Sequence, residues 1–505
     1  MATPSENLAT SLEVLHTLQQ NGIIAIQSAA ISRTHRERLV RKGFLQEVMR
    51  GWYIPSRPDE TAGESTAWYA SYWHFIAAYL TERFGDDWCL SPEQSAKIHA
   101  ANMTVPNQLL VRAARGRNQV TELLYNTSIL EVRANLPEKN ETITDSHGLR
   151  LYSAAAAIVN CAEGFYQQHP TDARTILSTF RDASEILAPL LDGGKSVVAG
   201  RIAGAFRNIE RTRIADDIIE GMRAADYVVR EIDPFTYKSP IVLSTREVSP
   251  YVNRLRLLWQ EMREPIIAVF PLAPGLPKDK TAYLKQVAEN YINDAYNSLS
   301  IEGYRVSPEL IERVRNGDWQ PDINEQDRQQ RDAMAARGYW QAYQAVQVSL
   351  DAIINGKNAG TVTDKDHGTW YREMFAPSVT VGILKASDLA GYRNQPVFIR
   401  RSKHVPPSME AVRDLMPTFF DLLAEEENAA VRVVLGHFIF VYIHPYTDGN
   451  GRIGRFLMNA MMASGGYPWT VVPLARRAEY MAALETASTE NDITPFAKFI
   501  ASLLA

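Results

Sequence analysis

Twelve consecutive residues, His444 to Arg455 (HPYTDGNGRIGR), bring together an imidazole, a carboxylate, two guanidinium groups and a glycine-rich turn. The imidazole of His444, with its near-neutral pKa, suits proton abstraction from a hydroxyl. Gly449, Asn450 and Gly451 tolerate the backbone angles of a tight loop, and their N–H groups can converge on one point. A helix opening beneath such a loop is an anion site, and Arg452 with Arg455 makes it a site for polyphosphate. Asp448 adds a hard oxygen ligand for Mg²⁺. The chemistry is that of a base beside a metal-clamped phosphate.

Two elements must position these groups. Ala429–Ile443 is apolar almost all round (Val431, Val433, Val434, Leu435, Phe438, Ile439, Phe440, Val441), the pattern of a buried helix, and Pro445 ends it with His444 at its exit. After the loop, Ile453, Phe456, Leu457, Ala460 and Met461 recur at helical spacing, while Arg452, Arg455 and Asn459 share another face.

The chain around them is long: 505 residues exceed one hydrophobic core and predict two to four domains. At 46% hydrophobic and 22% charged it has a soluble, globular composition. A net charge of −5 excludes nucleic-acid binding by bulk charge, so any such surface must be local. Cys89 and Cys161, each in apolar company, read as free thiols of a reducing compartment. The polar N-terminus lacks an apolar signal core, and no apolar run is long enough to span a bilayer. A cytoplasmic protein without a membrane partner is expected.

The stretch 444–455 resembles the signature of the Fic family, HPFx[DE]GNGRxxR, at every specified position except Tyr446, where the family has Phe. The resemblance implies a protein adenylyltransferase, a nucleotidyltransferase that uses ATP with Mg²⁺ to AMPylate a Tyr, Ser or Thr hydroxyl of a target protein, this chain itself among the candidates. It implies His444 as general base and Asp448 as the Mg²⁺ ligand. Gly449, Asn450 and Gly451 would cradle the phosphates, with Arg452 on the β-phosphate and Arg455 on the γ-phosphate.

Upstream, Thr281 to Ser300 has the periodicity of one amphipathic helix with Tyr283, Leu284, Val287, Tyr291, Ile292 and Ala295 on its apolar face. It runs into Ser298-Leu299-Ser300-Ile301-Glu302-Gly303, which resembles the family's inhibitory pattern [ST]xxxE[GN], the type with an N-terminal inhibitory helix (class II). The resemblance implies that Ser298, Glu302 and Gly303 form an inhibitory element, Glu302 making a bidentate ion pair with Arg455 in place of the γ-phosphate. The same carboxylate would serve to orient water for removal of AMP. Residues 391–404 match the position of the family's β-hairpin flap, which docks a target by strand addition, and Val397, Phe398 and Ile399 have the β preference this needs. His437, one heptad before His444, reads as a hydrogen-bonded core histidine.

At the other end, residues 10–57 predict a helix, a short helix or strand over Ile23–Ala30, a basic helix from Ser32 to Lys42, and two short strands through Pro55. Arg33, Arg36, Arg38, Arg41 and Lys42 face a single acid, Glu37. The order is that of a winged helix-turn-helix with its third helix placed for the major groove of double-stranded DNA. It also resembles the winged-helix heads of AbiE-system antitoxins. Residues 60–235 read as an α/β segment, antitoxin-like, with dimerisation (a homodimer) and sensing as candidate roles. The proline-bearing stretch 236–250 reads as a linker and Trp319–Pro321 as a loop. The expected whole is a multidomain, mainly α chain. It comprises a winged helix-turn-helix (1–59), the α/β segment (60–235), the linker, and an all-α Fic fold (251–505) with inhibitory helix (281–303), flap (391–404) and catalytic loop (444–455). The competing reading is a DNA-binding regulator, antitoxin-like, whose Fic site is a sensor, deAMPylating or mostly silent.

Overall fold

The computed structural model describes residues 3–58, 64–243, 249–317 and 331–504. The loop expected at Trp319–Pro321 lies outside them, as do residues 244–248 of the expected linker. The described chain is mainly helical and falls into two compact units. One comprises Met1–Arg254 with Phe398–Val405; the other comprises Leu255–Val397 and Pro406–Ala505. The division at Arg254 falls a few residues past the expected start of the C-terminal domain, and the first unit takes in part of the expected flap.

The first unit opens with helix α1 (Pro4–Gln20), strand β1 (Ile26–Gln27), helix α2 (Arg33–Arg41) and the antiparallel strands β2 (Leu45–Met49) and β3 (Trp52–Pro55), in sheet order β1-β3-β2. Thr3 and Glu6 form a capping box that starts α1, and Ser32 caps α2. No helix forms over Ile23–Ala30. Ile26 and Gln27 instead pair with Tyr53 and Trp52, so two helices, not three, accompany the hairpin. Leu15, Ile26, Ile31, Leu39 and Leu45 close a small core beneath them.

Helix α3 (Thr66–Phe84) packs its aromatic face into the next core. That core is covered by a four-stranded sheet of β4 (Trp88–Leu90), β5 (Gln108–Ala113), β6 (Gln119–Glu122) and β7 (Ser128–Arg133), in the order β4-β5-β7-β6. β5 and β7 run parallel and β6 pairs antiparallel on the edge. Leu124–Asn126 forms a tight turn before β7, with Tyr125 at φ 51°. From Ala154 to Ala224 the chain forms six helices, and one of the breaks between them falls at Asp192–Gly194. Cys89 and Cys161 are buried free thiols, and burial pushes Cys89 up to about 11.

In the second unit the single helix expected over Thr281–Ser300 is two, Lys280–Glu289 and Tyr291–Ile301, interrupted at Asn290. Ala429–Ile443 forms as expected, and every residue in it except Arg432 and Val441 is buried. Asn450–Gly465 packs beside it, followed by Arg477–Glu490 and Thr494–Ala501. No helix among the described residues is long and apolar enough to cross a membrane.

Candidate active site

The helix Ala429–Ile443 ends at His444, whose backbone turns into the left-handed region (φ 55°, ψ 58°). For a residue with a Cβ this is a sparsely populated conformation, and it swings the imidazole out of the helix axis. The Nδ1–H of His444 donates to the Val441 carbonyl at 3.1 Å, leaving Nε2 as the free lone pair. Burial pushes this imidazole down to about 4; the Val441 bond, Glu302 and Asp448 act upward, and the Arg393 charge acts downward. At neutral pH it is an unprotonated base.

Asn450 closes the loop that follows. Its Oδ1 accepts from Tyr446 N–H at 2.9 Å and its Nδ2 donates to the Tyr446 carbonyl at 2.8 Å. That side chain is occupied within the loop, so only its backbone N–H is placed for a ligand. Tyr446 is buried and stacks on Tyr371 at 3.9 Å with planes 3° apart. The ring for which the sequence departs from the signature thus still anchors the loop. Gly449 adopts φ 84° and begins the helix Asn450–Gly465 with no side-chain cap. The first-turn N–H groups of an uncapped helix point outward as anion donors.

Arg452 and Arg455 rise from this helix and both are buried. Arg452 lies between the rings of Tyr304 and Phe375, at 5.2 and 5.0 Å, and its Nη2 meets Asp448 Oδ2 at 3.2 Å. Arg455 donates from Nε to Ser298 Oγ at 2.9 Å, and from Nη2 to the Ser298 carbonyl at 3.0 Å and to Glu302 Oε1 at 2.8 Å. Burial opposes the Arg455 charge, but Glu302 with Tyr480 and Tyr339 more than offsets it, and the guanidinium is raised above its ordinary value.

The expected Glu302–Arg455 contact is therefore present, but it is not bidentate. One carboxylate oxygen meets one nitrogen, because Ser298 takes the Nε edge. A Cβ on Gly451 would collide with Glu302 Oε1, so the carboxylate rests against the first turn of this helix. Gly303 follows at φ 91° and lets the chain turn away. Nε of Arg452 and Nη1 of Arg455 are buried without a hydrogen-bond partner among the described residues. Two such donors beside an uncapped helix start fit a polyphosphate. Asp448 has a largely exposed side chain, and no group of three His, Cys, Asp or Glu that could hold a metal occurs among the described residues. A single carboxylate suits Mg²⁺ that takes its other oxygens from phosphates and water.

Arg393 was not singled out in the sequence as a site residue. It is buried beneath His444, donating from Nε to the His444 carbonyl at 2.8 Å, while its backbone N–H donates to the Pro445 carbonyl at 2.9 Å. Tyr304 and Phe375 were missed as well. His437 is the expected core histidine, its Nε2 2.7 Å from the Tyr480 hydroxyl.

The flap differs from expectation. No strand forms over residues 391–404, and Val397, Phe398 and Ile399 lie in irregular chain. Within the first unit, Arg401 N–H donates to Thr66 Oγ1 at 2.9 Å and Val105 N–H to the Lys403 carbonyl at 3.0 Å. The buried Glu64 takes Arg400 at 2.8 Å and Arg401 at 3.2 Å.

The expected DNA-facing cations are not one free surface. Arg33 pairs with Glu37 at 2.6 Å. Arg36 donates to the Ser28 carbonyl at 2.9 Å and covers the Tyr53 ring. Arg38 reaches back to α1, to the Asn7 carbonyl and Ser11 Oγ, both at 2.7 Å. Arg41 and Lys42 are exposed.

Residues 368–462 match the model of the Fic/DOC family. The protein adenylyltransferase Fic of Nematostella vectensis is 39% identical over 114 residues, which make up 22% of this chain and 26% of that protein. The protein of the same name from Drosophila willistoni is also 39% identical over 114 residues, 22% of each chain. The chain thus spans about a quarter of the length of the curated relatives it matches. Among solved structures, Fic-1 (residues 134–508) from C. elegans superposes loosely, with a TM-score of 0.37 and 18% identity over 63% of this chain and 88% of that one. Residues 368–462 thus resemble the Fic/DOC family, and both of these relatives are named protein adenylyltransferase Fic.

Proposed function

We propose that the chain is a protein adenylyltransferase, with ATP as donor, held in check by its own Glu302. One observation carries the reading: the Glu302 carboxylate sits on Arg455, against the uncapped helix start and near the neutral His444. In the released state Arg452 and Arg455 hold the β- and γ-phosphates, and the N–H groups of Gly449, Asn450 and Gly451 support the developing charge. Asp448 would hold Mg²⁺, which when bound neutralises charge on the pyrophosphate. His444 Nε2 takes the proton of a Tyr, Ser or Thr hydroxyl on a target protein. The hydroxyl oxygen bonds to the α-phosphorus, the bond to the bridging oxygen breaks, and pyrophosphate leaves. Glu302, braced by the Ser298–Arg455 bonds, denies the γ-phosphate its arginine.

The test is transfer of α-labelled ATP, with Mg²⁺, to the protein itself and to lysate proteins. Strong label with Glu302→Gly, weak label with wild type and none with His444→Ala supports the reading; no label from any of the three overturns it. A second reading, a DNA-binding regulator, is favoured by the exposed Arg41 and Lys42 at the end of α2, next to the β2–β3 hairpin. It requires salt-dependent duplex binding that survives His444→Ala and weakens with Arg41→Glu.

A further inference from the structure

Arg393 is a cation buried without a counter-charge. Its guanidinium donates to three main-chain carbonyls: His444 from Nε at 2.8 Å, Gln395 from Nη1 at 3.4 Å, and Pro407 from Nη2. No carboxylate forms an ion pair with it among the described residues, and Glu410 is the acid whose field reaches it. Burial pushes it down to about 10. A guanidinium held only by carbonyls is an expensive way to fill space, because its desolvation is not repaid by an ion pair. What it secures is geometry.

The His444 carbonyl stands where a helix leaves its last acceptors unsatisfied, and a cation there meets the negative end of the helix dipole. The backbone N–H of Arg393 donates to the carbonyl of Pro445, the residue after His444, at 2.9 Å. Arg393 therefore grips both residues of the turn that carries the imidazole, and one of them is held in a left-handed conformation that a residue with a Cβ does not favour.

We propose that Arg393 is a positioning residue for the base: it locks the His444–Pro445 turn so that the imidazole keeps its Nδ1–H on Val441 and presents Nε2. The inference rests on the transferase reading for its kinetic consequence, but not for its structural one. With the fork gone, the left-handed turn keeps only the backbone bond at Pro445 and loses the side-chain grip on His444; the Val441 bond loosens, and the imidazole samples both tautomers and other orientations. Displacement of a reacting group by about 1 Å costs on the order of 100-fold in rate. Arg452 and Arg455 are held by other partners, Asp448 for the first and Ser298 with Glu302 for the second, and stay in place.

The experiment compares Arg393→Gln and Arg393→Lys in the full chain, each with and without Glu302→Gly. Selective ¹⁵N labelling of histidine follows the His444 imidazole, with His437 as the internal control. The expected result for Arg393→Gln is a His444 spectrum that moves from the Nδ1–H tautomer toward exchange, an unchanged His437, ATP affinity within about twofold, and kcat lower by about 10- to 100-fold. Arg393→Lys, which keeps charge but not the fork, falls between. An unchanged His444 signal in Arg393→Gln overturns the proposal whatever the activity. A parallel loss of ATP affinity, kcat and the His437 signal also overturns it, marking Arg393 as part of the fold alone. If Glu302→Gly transfers no label, the transferase reading fails and the spectra still decide the position of the imidazole.

Discussion

Replacing Glu302 by Gln removes one negative charge and leaves the shape of the side chain. The contact to be lost is a charge-assisted hydrogen bond of 2.8 Å between Glu302 Oε1 and Arg455 Nη2. The Arg455 side chain is 4% exposed and that of Glu302 is 29% exposed, so the pair is shielded on the arginine side and open to solvent on the other. Bonds of this type contribute about 1.5–3 kcal/mol. Taking about 2 kcal/mol, to allow for the solvent-facing edge of the carboxylate, ATP should bind about 30-fold more tightly to Glu302→Gln than to wild type, at 1.4 kcal/mol per factor of ten. Ser298 continues to hold the Nε edge, so Arg455 stays in place and the gain comes from charge alone. The assay is calorimetric titration with a non-transferable ATP analogue and Mg²⁺, on wild type, Glu302→Gln and Arg455→Ala. Equal affinity of wild type and Glu302→Gln, within twofold, while Arg455→Ala loses binding, would refute the idea that the carboxylate competes with the triphosphate. Tighter binding in Glu302→Gln that survives Arg455→Ala would refute Arg455 as the contested group.

Two further outcomes follow from the charges. His444 is pushed down to about 4, so it is neutral and able to accept a proton from well below pH 6 upward; transfer by Glu302→Gly should be flat from pH 6 to 8, and a half-maximal point near 6.5 refutes this. His437, also pushed down to about 4 by burial, is charged first in the unfolded chain, so stability is held above about pH 6.5 and falls by up to about 3 kcal/mol as pH drops toward 4, while Asp294, raised to about 6, acts in the opposite sense as pH rises through 6. In the first unit, Glu64→Ala should release Arg400 and Arg401, costing about 1–3 kcal/mol because both arginines are more than half exposed, and tryptic cleavage after them should accelerate; an unchanged cleavage rate refutes the anchor.

The geometry of the loop 444–455 was readable in the sequence because its parts are neighbours there. From His444 to Arg455, base, turn and arginines need only the loop and one helical face to meet, and Asn450 ties that loop to Tyr446 four residues away. Ser298 and Glu302 were readable for the same reason, one helical turn placing both on Arg455. The number of bonds was not, because Ser298 competes for the guanidinium edge that a bidentate pair requires. Arg393 could not be found this way. Its partners are carbonyls up to 51 positions distant, and every residue type has a carbonyl.

At three places a local preference met a partner from elsewhere in the chain. Val397–Ile399 has strand propensity, yet the backbone just beyond it bonds to Thr66 and Val105, so a hairpin partner is not what holds it. Ile23–Ala30 was open between helix and strand, and pairing with Trp52 and Tyr53 decides for strand. The cations of α2 have the spacing of a charged face, but Arg38 spends its guanidinium on α1, where Asn7 and Ser11 stand one helical turn apart. This has a consequence for the basic helix as a reader of DNA. Arg41 and Lys42 are left exposed, while Arg38 holds α2 against α1. Loss of Arg38 should therefore lower the stability of the first unit, whereas loss of Arg41 should change only what the helix can bind.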